Sequence, residues 1–265
     1  MKKFITAALV IASFLLSQPV FAAFGLGVSP TYSEMNVEPG KNYRQKITVA
    51  NMGTGNPLSI VVGSAVWNID ENGKMELTAP TQQEDDPTQW IRFSPTSFNL
   101  GPQKNMEILV DINVPLTAQK KEYRVTVLFS TVLPSQDIMK KSKNVWEKIQ
   151  VASLMYLSTS KDLVSNSELT LEQVKNTNVL KVNLSNDGDK HSRVTGVLNF
   201  YEEDKKVYSQ DFNLVLMPKQ KRTLNMNVDI PTSLKGKKLK IIPVLADSMS
   251  KDLKLSFPKE VNYEF

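Results

Sequence analysis

Beyond the first two dozen residues, apolar side chains come in short runs rich in Val, Ile, Leu and Thr, separated by Gly, Pro, Asn and Asp. Lys46 to Ala50 (KITVA), Leu58 to Trp67 (LSIVVGSAVW), Met106 to Val114 (MEILVDINV), Tyr123 to Phe129 (YRVTVLF), Val179 to Leu184, Val194 to Phe200 and Leu239 to Leu245 follow this pattern. Alternation with a period of two turns one face of a segment to a core and the other to water, so these are predicted strands. The breakers Gly53, Gly55, Pro57, Asn72-Gly73, Pro102, Asp187-Gly188 and Pro218 stand where turns belong. Helical spacing is confined to Ser135 to Lys148, where Ile138, Met139, Val145 and Trp146 form only a ragged stripe.

The strand pattern repeats. Phe98 to Phe129 overlays Leu214 to Leu245 without a gap, at an offset of 116 residues. Leu100 falls on Leu216, Pro102 on Pro218, Ile108 on Leu224, Ile112 on Val228, Pro115 on Pro231 and Val125 on Ile241. Earlier, Ile47 to Gly53 (ITVANMG) matches Val182 to Gly188 (VNLSNDG) at an offset of 135, so the first copy carries extra residues, Thr78 to Trp90 among them. A period this long suits two similar domains in tandem rather than a solenoid. Short strands with frequent turn signals predict an all-β protein of two tandem immunoglobulin-like β-sandwiches. The expected units are residues 23–158 and 159–265, joined near Ser158 to Asp162, with Trp67 in the core of the first.

Residues 1–22 have a different character: Lys2 and Lys3, an apolar run from Phe4 to Leu16, Pro19, and small residues before the expected cut after Ala22. This is the pattern of a secretory signal peptide, and the run is too short for a membrane-spanning helix. Its removal lowers the formal charge of the 265-residue chain from +5 to +3, too little to indicate a partner. The basic patches Lys140 to Lys143, Lys219 to Arg222 and Lys235 to Lys240 lack interleaved aromatics and read as solvated loops, not a nucleic-acid surface. With no cysteine and one histidine, thiol chemistry and sites needing two imidazoles are excluded. His191 lies in a polar turn (NDGDKHS) and reads as a solvated side chain. Glu84-Asp85-Asp86 lacks the spaced oxygens of a calcium loop and reads likewise. No nucleophile elbow or phosphate loop occurs, so the expectation is a protein that is not an enzyme and takes no cofactor or metal.

Several phrases carry a family likeness. Val28-Ser29-Pro30-Thr31, Ile47 to Asn51, Phe93 to Pro102 (FSPTSFNLGP) and Glu122 to Phe129 (EYRVTVLF) resemble the periplasmic pilus-assembly chaperones. Leu184 to Gly196 (LSNDGDKHSRVTG) is similar to the equivalent strand and turn of their second domain. The resemblance implies a periplasmic protein that captures secreted pilin-like subunits by donor-strand complementation and delivers them to an outer-membrane usher. The family's donor is the last strand of the first domain. Here it matches Trp146 to Ser158, in which Ile149, Val151, Ser153, Met155 and Leu157 alternate on one face. Family members anchor the subunit's terminal carboxylate with an Arg after the first-strand motif and a Lys in the donor strand. This chain departs from that, with Tyr32 at the first position and Ser153 at the second. Arg44, Arg92 and Arg124 are other basic residues of the same half, and nothing in the sequence selects one. The alternative is a structural or adhesive immunoglobulin-like envelope protein, which shares every fold-level signal.

Overall fold

A computed structural model describes residues 25–136, 139, 147–174, 177–234, 236–245 and 253–255. The segment 1–22 expected to be a signal peptide, the Lys140 to Lys143 patch, Trp146 and most of the expected helical stretch lie outside these residues.

Strands β1 (Leu26–Ser29), β2 (Tyr32–Asn36), β3 (Asn42–Asn51), β4 (Leu58–Ile69), β5 (Met75–Thr78), β6 (Ile91–Ser94), β7 (Ser97–Leu100), β8 (Asn105–Asn113), β9 (Glu122–Thr131) and β10 (Gln150–Ser158) build a first sandwich. One of its sheets has the order β1-β3-β8-β6. The other runs β2-β10-β9-β4-β5, with β7 on β4. The chain therefore changes sheets between β1 and β2, around Pro30. Strands β11 (Ser167–Gln173), β12 (Val179–Asn186), β13 (Ser192–Glu202), β14 (Lys205–Leu216), β15 (Gln220–Asn227), β16 (Lys240–Leu245) and β17 (Leu253–Leu255) build a second, with sheets β15-β12-β11-β17 and β14-β13-β16.

Each pair of sheets encloses its own core. Ile47, Val49, Ile108, Val110 and Ile112 of one sheet meet Ile60, Val62, Val125, Val127, Phe129, Met155 and Leu157 of the other. Leu169, Leu180, Val182, Val194, Leu198, Phe200, Leu216 and Ile241 fill the second core. Burying a side chain of this size stabilises by about 1.5–3 kcal/mol relative to leaving it in water, which lets two such cores stand without disulfides.

The repeat is a repeat of structure. Pro102 and Pro218 open equivalent turns, and the residues that follow, Gln103 (φ 54°) and Lys219 (φ 57°), both take left-handed backbone. β8 pairs with β3 as β15 pairs with β12. The patch Lys219 to Arg222 is thus a turn running into β15 rather than a solvated loop. Arg222 is buried, its Nη1 donating to the Val215 carbonyl at 2.7 Å. Asp86 is buried too. Its carboxylate caps the 3₁₀ turn Pro87–Trp90 by accepting from the backbone N–H and hydroxyl of Thr88, while Glu84 and Asp85 bond Thr117 and Lys121. Proline at the first position of the turn needs no partner for its missing N–H, which favours an Asp-Pro start over a solvated acidic loop.

Trp67 is buried but not in the first core, which takes Trp90 instead. Along β4 the even positions Leu58, Ile60 and Val62 face inward, whereas Trp67 is odd and lies on the outer face. It is covered there by the second sandwich, meeting Tyr156 and Met217.

Candidate functional site: an open strand edge beside the domain junction

The outer face of the sheet β2-β10-β9-β4 is arranged in rows fixed by strand register. Tyr156 stands between Arg124 and Glu34, and the next row is Ala65, Thr126, Leu154 and Tyr32. The second sandwich covers this end. Further along come the rows Gly63, Leu128, Ala152 and then Val61, Ser130, Gln150. In these last two rows β2 has ended, and among the described residues no strand pairs with the far side of β10. Leu154 N–H donates to the Thr31 carbonyl on that side, so by alternation the backbone groups of Gln150 and Ala152 point out from an unpaired edge. Beside them lies a shallow depression lined by Val61, Gly63, Leu128, Val132 and Gln150. Val61 is 45% exposed and Val132 52%, and a Cβ placed on Gly63 would meet nothing within 4 Å.

The five donor-face residues divide along this strand. Ile149 and Val151, at the open end, are half-buried against the first core, while Met155 and Leu157 are fully enclosed in it. Ser153 marks the change, its hydroxyl donating to the Pro30 carbonyl at 2.7 Å where the crossing chain reaches β10.

Tyr32 projects from the start of β2, and the Arg193 guanidinium of the second sandwich lies over its ring, 4.2 Å from the centroid. Arg193 Nε is buried without a hydrogen-bond partner. The other arginines are engaged away from the edge. Arg44 forms a paired fork with Asp111, Arg92 donates to the carbonyls of Gln89 and Ile91, and Arg124 reaches the Trp67 carbonyl and lies 3.9 Å from Glu122.

Within the junction is His191, which is buried rather than solvated, because the turn carrying it inserts against the first sandwich. Its Nδ1 is 2.6 Å from Glu122 Oε2 and its Nε2 3.2 Å from Glu34 Oε1, and the ring stacks on Tyr156 at 3.7 Å between centroids. Burial disfavours the imidazolium, but the hydrogen bonds and charges of Glu122 and Glu34 together outweigh it, and the His191 pKa lies above its usual value. The hydrogen bond from His191 holds the Glu34 carboxyl below its usual value against partial burial. Burial pushes the Tyr156 phenol far up. The junction also includes Gln220, whose side-chain amide donates to the Ile69 carbonyl at 2.7 Å.

Glu122, Glu34 and Arg193 were not legible as site residues. On their own strands they occupy positions that face water until a second domain covers them. Among the described residues no group of His, Cys, Asp and Glu is placed to hold a metal ion, and no helix is long and apolar enough to cross a membrane.

These features define an all-β, two-sandwich protein in which, among the described residues, no strand pairs with β10 on its far side at Gln150 and Ala152. No protein-family model matches the chain, and no curated protein matches it. Among solved structures it is similar to the chaperone DraB of E. coli (13% identity, TM-score 0.46, 84% of this chain and 96% of that one). A chain of the CsuC–CsuE chaperone–tip adhesion subunit pre-assembly complex of Acinetobacter baumannii is similar at 13% identity and TM-score 0.44, over 84% of this chain and 93% of that one. So is a chain of the Salmonella enterica SafA pilin–SafB chaperone complex, at 15% identity and TM-score 0.43, over 84% and 91%.

Proposed function

We propose that this chain is a periplasmic chaperone that holds secreted pilin-like subunits by lending them strand β10 and yields them to an outer-membrane usher. In this reading residues 23–158 form the donor domain and 159–265 the second domain. The observation that carries it is the open edge at Gln150 and Ala152. A subunit short of one strand exposes unpaired backbone and an apolar groove, and pairing along this edge satisfies the first while Ile149 and Val151 enter the second. Met155 and Leu157 stay in the first core and supply rigidity. Ser153, by holding the crossing chain, sets where the partner strand must stop.

A partner strand laid on this edge runs toward Tyr32 and the guanidinium stacked on it. Arg193, contributed by the second sandwich, is therefore assigned the carboxylate-binding role that a residue at the position of Tyr32 plays in the resembled family. Tyr32 and Ser153 shape that end without carrying charge. Backbone pairing and apolar contact suffice for holding, so no catalytic step or cofactor enters.

The test is co-export with a pilin-like subunit that aggregates when expressed alone. The native chain should yield a soluble one-to-one complex, and the double substitution Ile149→Asp, Val151→Asp should abolish it while the chaperone still folds. Failure of the native chain to form a complex, or equal recovery with the double variant, overturns the proposal.

A further inference from the structure

At the cluster around His191 the two sandwiches meet through titratable groups that hydrogen-bond across the junction. His191 is delivered by the turn that ends at β13, Glu122 by β9 and Glu34 by β2. Its side chain is 2% exposed and that of Glu122 is fully enclosed. Both ring nitrogens face carboxylate oxygens, and the His191 backbone N–H reaches the Glu122 carboxylate as well.

We propose that His191, Glu122 and Glu34 form a proton-operated clasp between the two sandwiches, closed when the imidazole carries both protons and loosened when it loses one. Only the imidazolium donates from both nitrogens, so only that form satisfies Glu122 and Glu34 at once. A neutral ring turns a lone pair toward one carboxylate, replacing a charge-assisted hydrogen bond by repulsion around a buried imidazole.

The surroundings leave the imidazole as the responsive group near neutral pH. On β9, Arg124 lies beside Glu122, and on β10 the Tyr156 phenol stays protonated under the imidazole. Lys190 and Arg193 flank Glu34 from the second sandwich, while Asp189 of the same turn is paired with Lys219 at 3.1 Å. Arginine, lysine and tyrosine keep their protons through the range in which histidine titrates. The raised His191 pKa agrees with the closed form. Other contacts across the junction are Trp67 and Tyr156 with Met217, Gln220 with the Ile69 carbonyl, Arg193 over the Tyr32 ring and Asp70 beside Arg222. Opening the clasp leaves these contacts in place, and the second sandwich becomes looser without coming away.

The clasp matters for the edge because the strands are shared. β2 carries Glu34 two residues from Tyr32, and β10 carries Tyr156 four residues from Ala152. The clasp acts whatever the edge binds.

One histidine and no cysteine make the experiment clean. In the full chain the imidazole gives a single resonance to titrate. Spin labels on Glu107→Cys and Lys205→Cys, both exposed and one in each sandwich, report the distance between them. The imidazole midpoint is expected above 6.5, with a narrow distance distribution below it and a broad one above. His191→Gln should be broad at every pH. Glu34→Gln, a conservative change at a side chain one-third exposed, keeps the test decisive if His191→Gln does not fold. It should lower the midpoint and carry the broadening with it. A midpoint at or below 6.5, or a distance distribution that stays the same while the imidazole titrates, overturns the clasp.

Discussion

Asn51 and Asn186 fill the same place in the two sandwiches. Each ends a central strand, accepts the N–H of the glycine two residues on at 3.0 Å, and donates to a carbonyl at the end of a strand in the opposite sheet, Leu100 at 3.1 Å, or just past it, Met217 at 3.3 Å. Asn186 makes two more hydrogen bonds, from Asn166 N–H and to the Lys190 carbonyl. Both side chains are buried, so truncation leaves polar backbone without partners. Asn51→Ala should cost about 1–3 kcal/mol and Asn186→Ala more, read from denaturant unfolding of the full chain. A larger cost at Asn51 would contradict this count of bonds.

Two strand glycines should respond oppositely to substitution. At Gly63 an added side chain enters the open depression, whereas at Gly196 a Cβ would stand 2.5 Å from the Val244 carbonyl oxygen. Gly63→Leu should therefore fold with native stability and lose partner binding, because it fills the face beside the open edge. Gly196→Ala should destabilise, since backbone must move to admit it. Melting curves and co-export yields separate the two effects, and a Gly63→Leu chain that still recovers its partner would remove the depression from the binding surface.

How far the sequence could lead is visible in particular residues. Ile60, Val62, Val182 and Leu184 announced inward faces by their spacing, and Pro102 with Pro218 marked a shared turn, because those signals are local. Trp67 misled only in part. Its odd position, opposite in parity to Ile60 and Val62, already placed it on the other face of β4, but not what lay there. The same holds for Glu122 and His191, which look solvated until a turn over sixty residues away in the chain closes on β9. The open edge at Gln150 was hidden for a related reason. An alternating segment does not say which neighbour it pairs with, and β10 loses its second neighbour only because the chain switches sheets at Pro30.

The apolar part of the junction should be energetically coupled. Trp67 and Tyr156 pack edge to face, with centroids 4.9 Å apart at 81°, and Met217 of the second sandwich is buried against them. Trp67→Ala should destabilise by about 3–5 kcal/mol. Met217→Ala in the Trp67→Ala background should cost clearly less than in the native chain, since its partner surface is already gone. Strict additivity in a double-mutant cycle would mean that the sandwiches are held together elsewhere.

Stability should also depend on pH from both directions. A histidine whose pKa is raised by folding stabilises fully below its unfolded value, near 6.5, and this contribution fades as pH rises through the folded value. Glu34, whose pKa is lowered by folding, contributes above its unfolded value of 4.5 and loses that contribution as pH falls through the folded one. The melting temperature should thus be highest between the two and decline on either side. Glu122→Gln removes the charge at 2.6 Å from Nδ1, so it should cost about 3–5 kcal/mol in the closed range, as breaking a buried pair does. It should also flatten the alkaline decline, because the remaining carboxylate, Glu34, is partly exposed and holds the proton less firmly. An alkaline limb as steep in Glu122→Gln as in the native chain would assign that limb to groups other than His191.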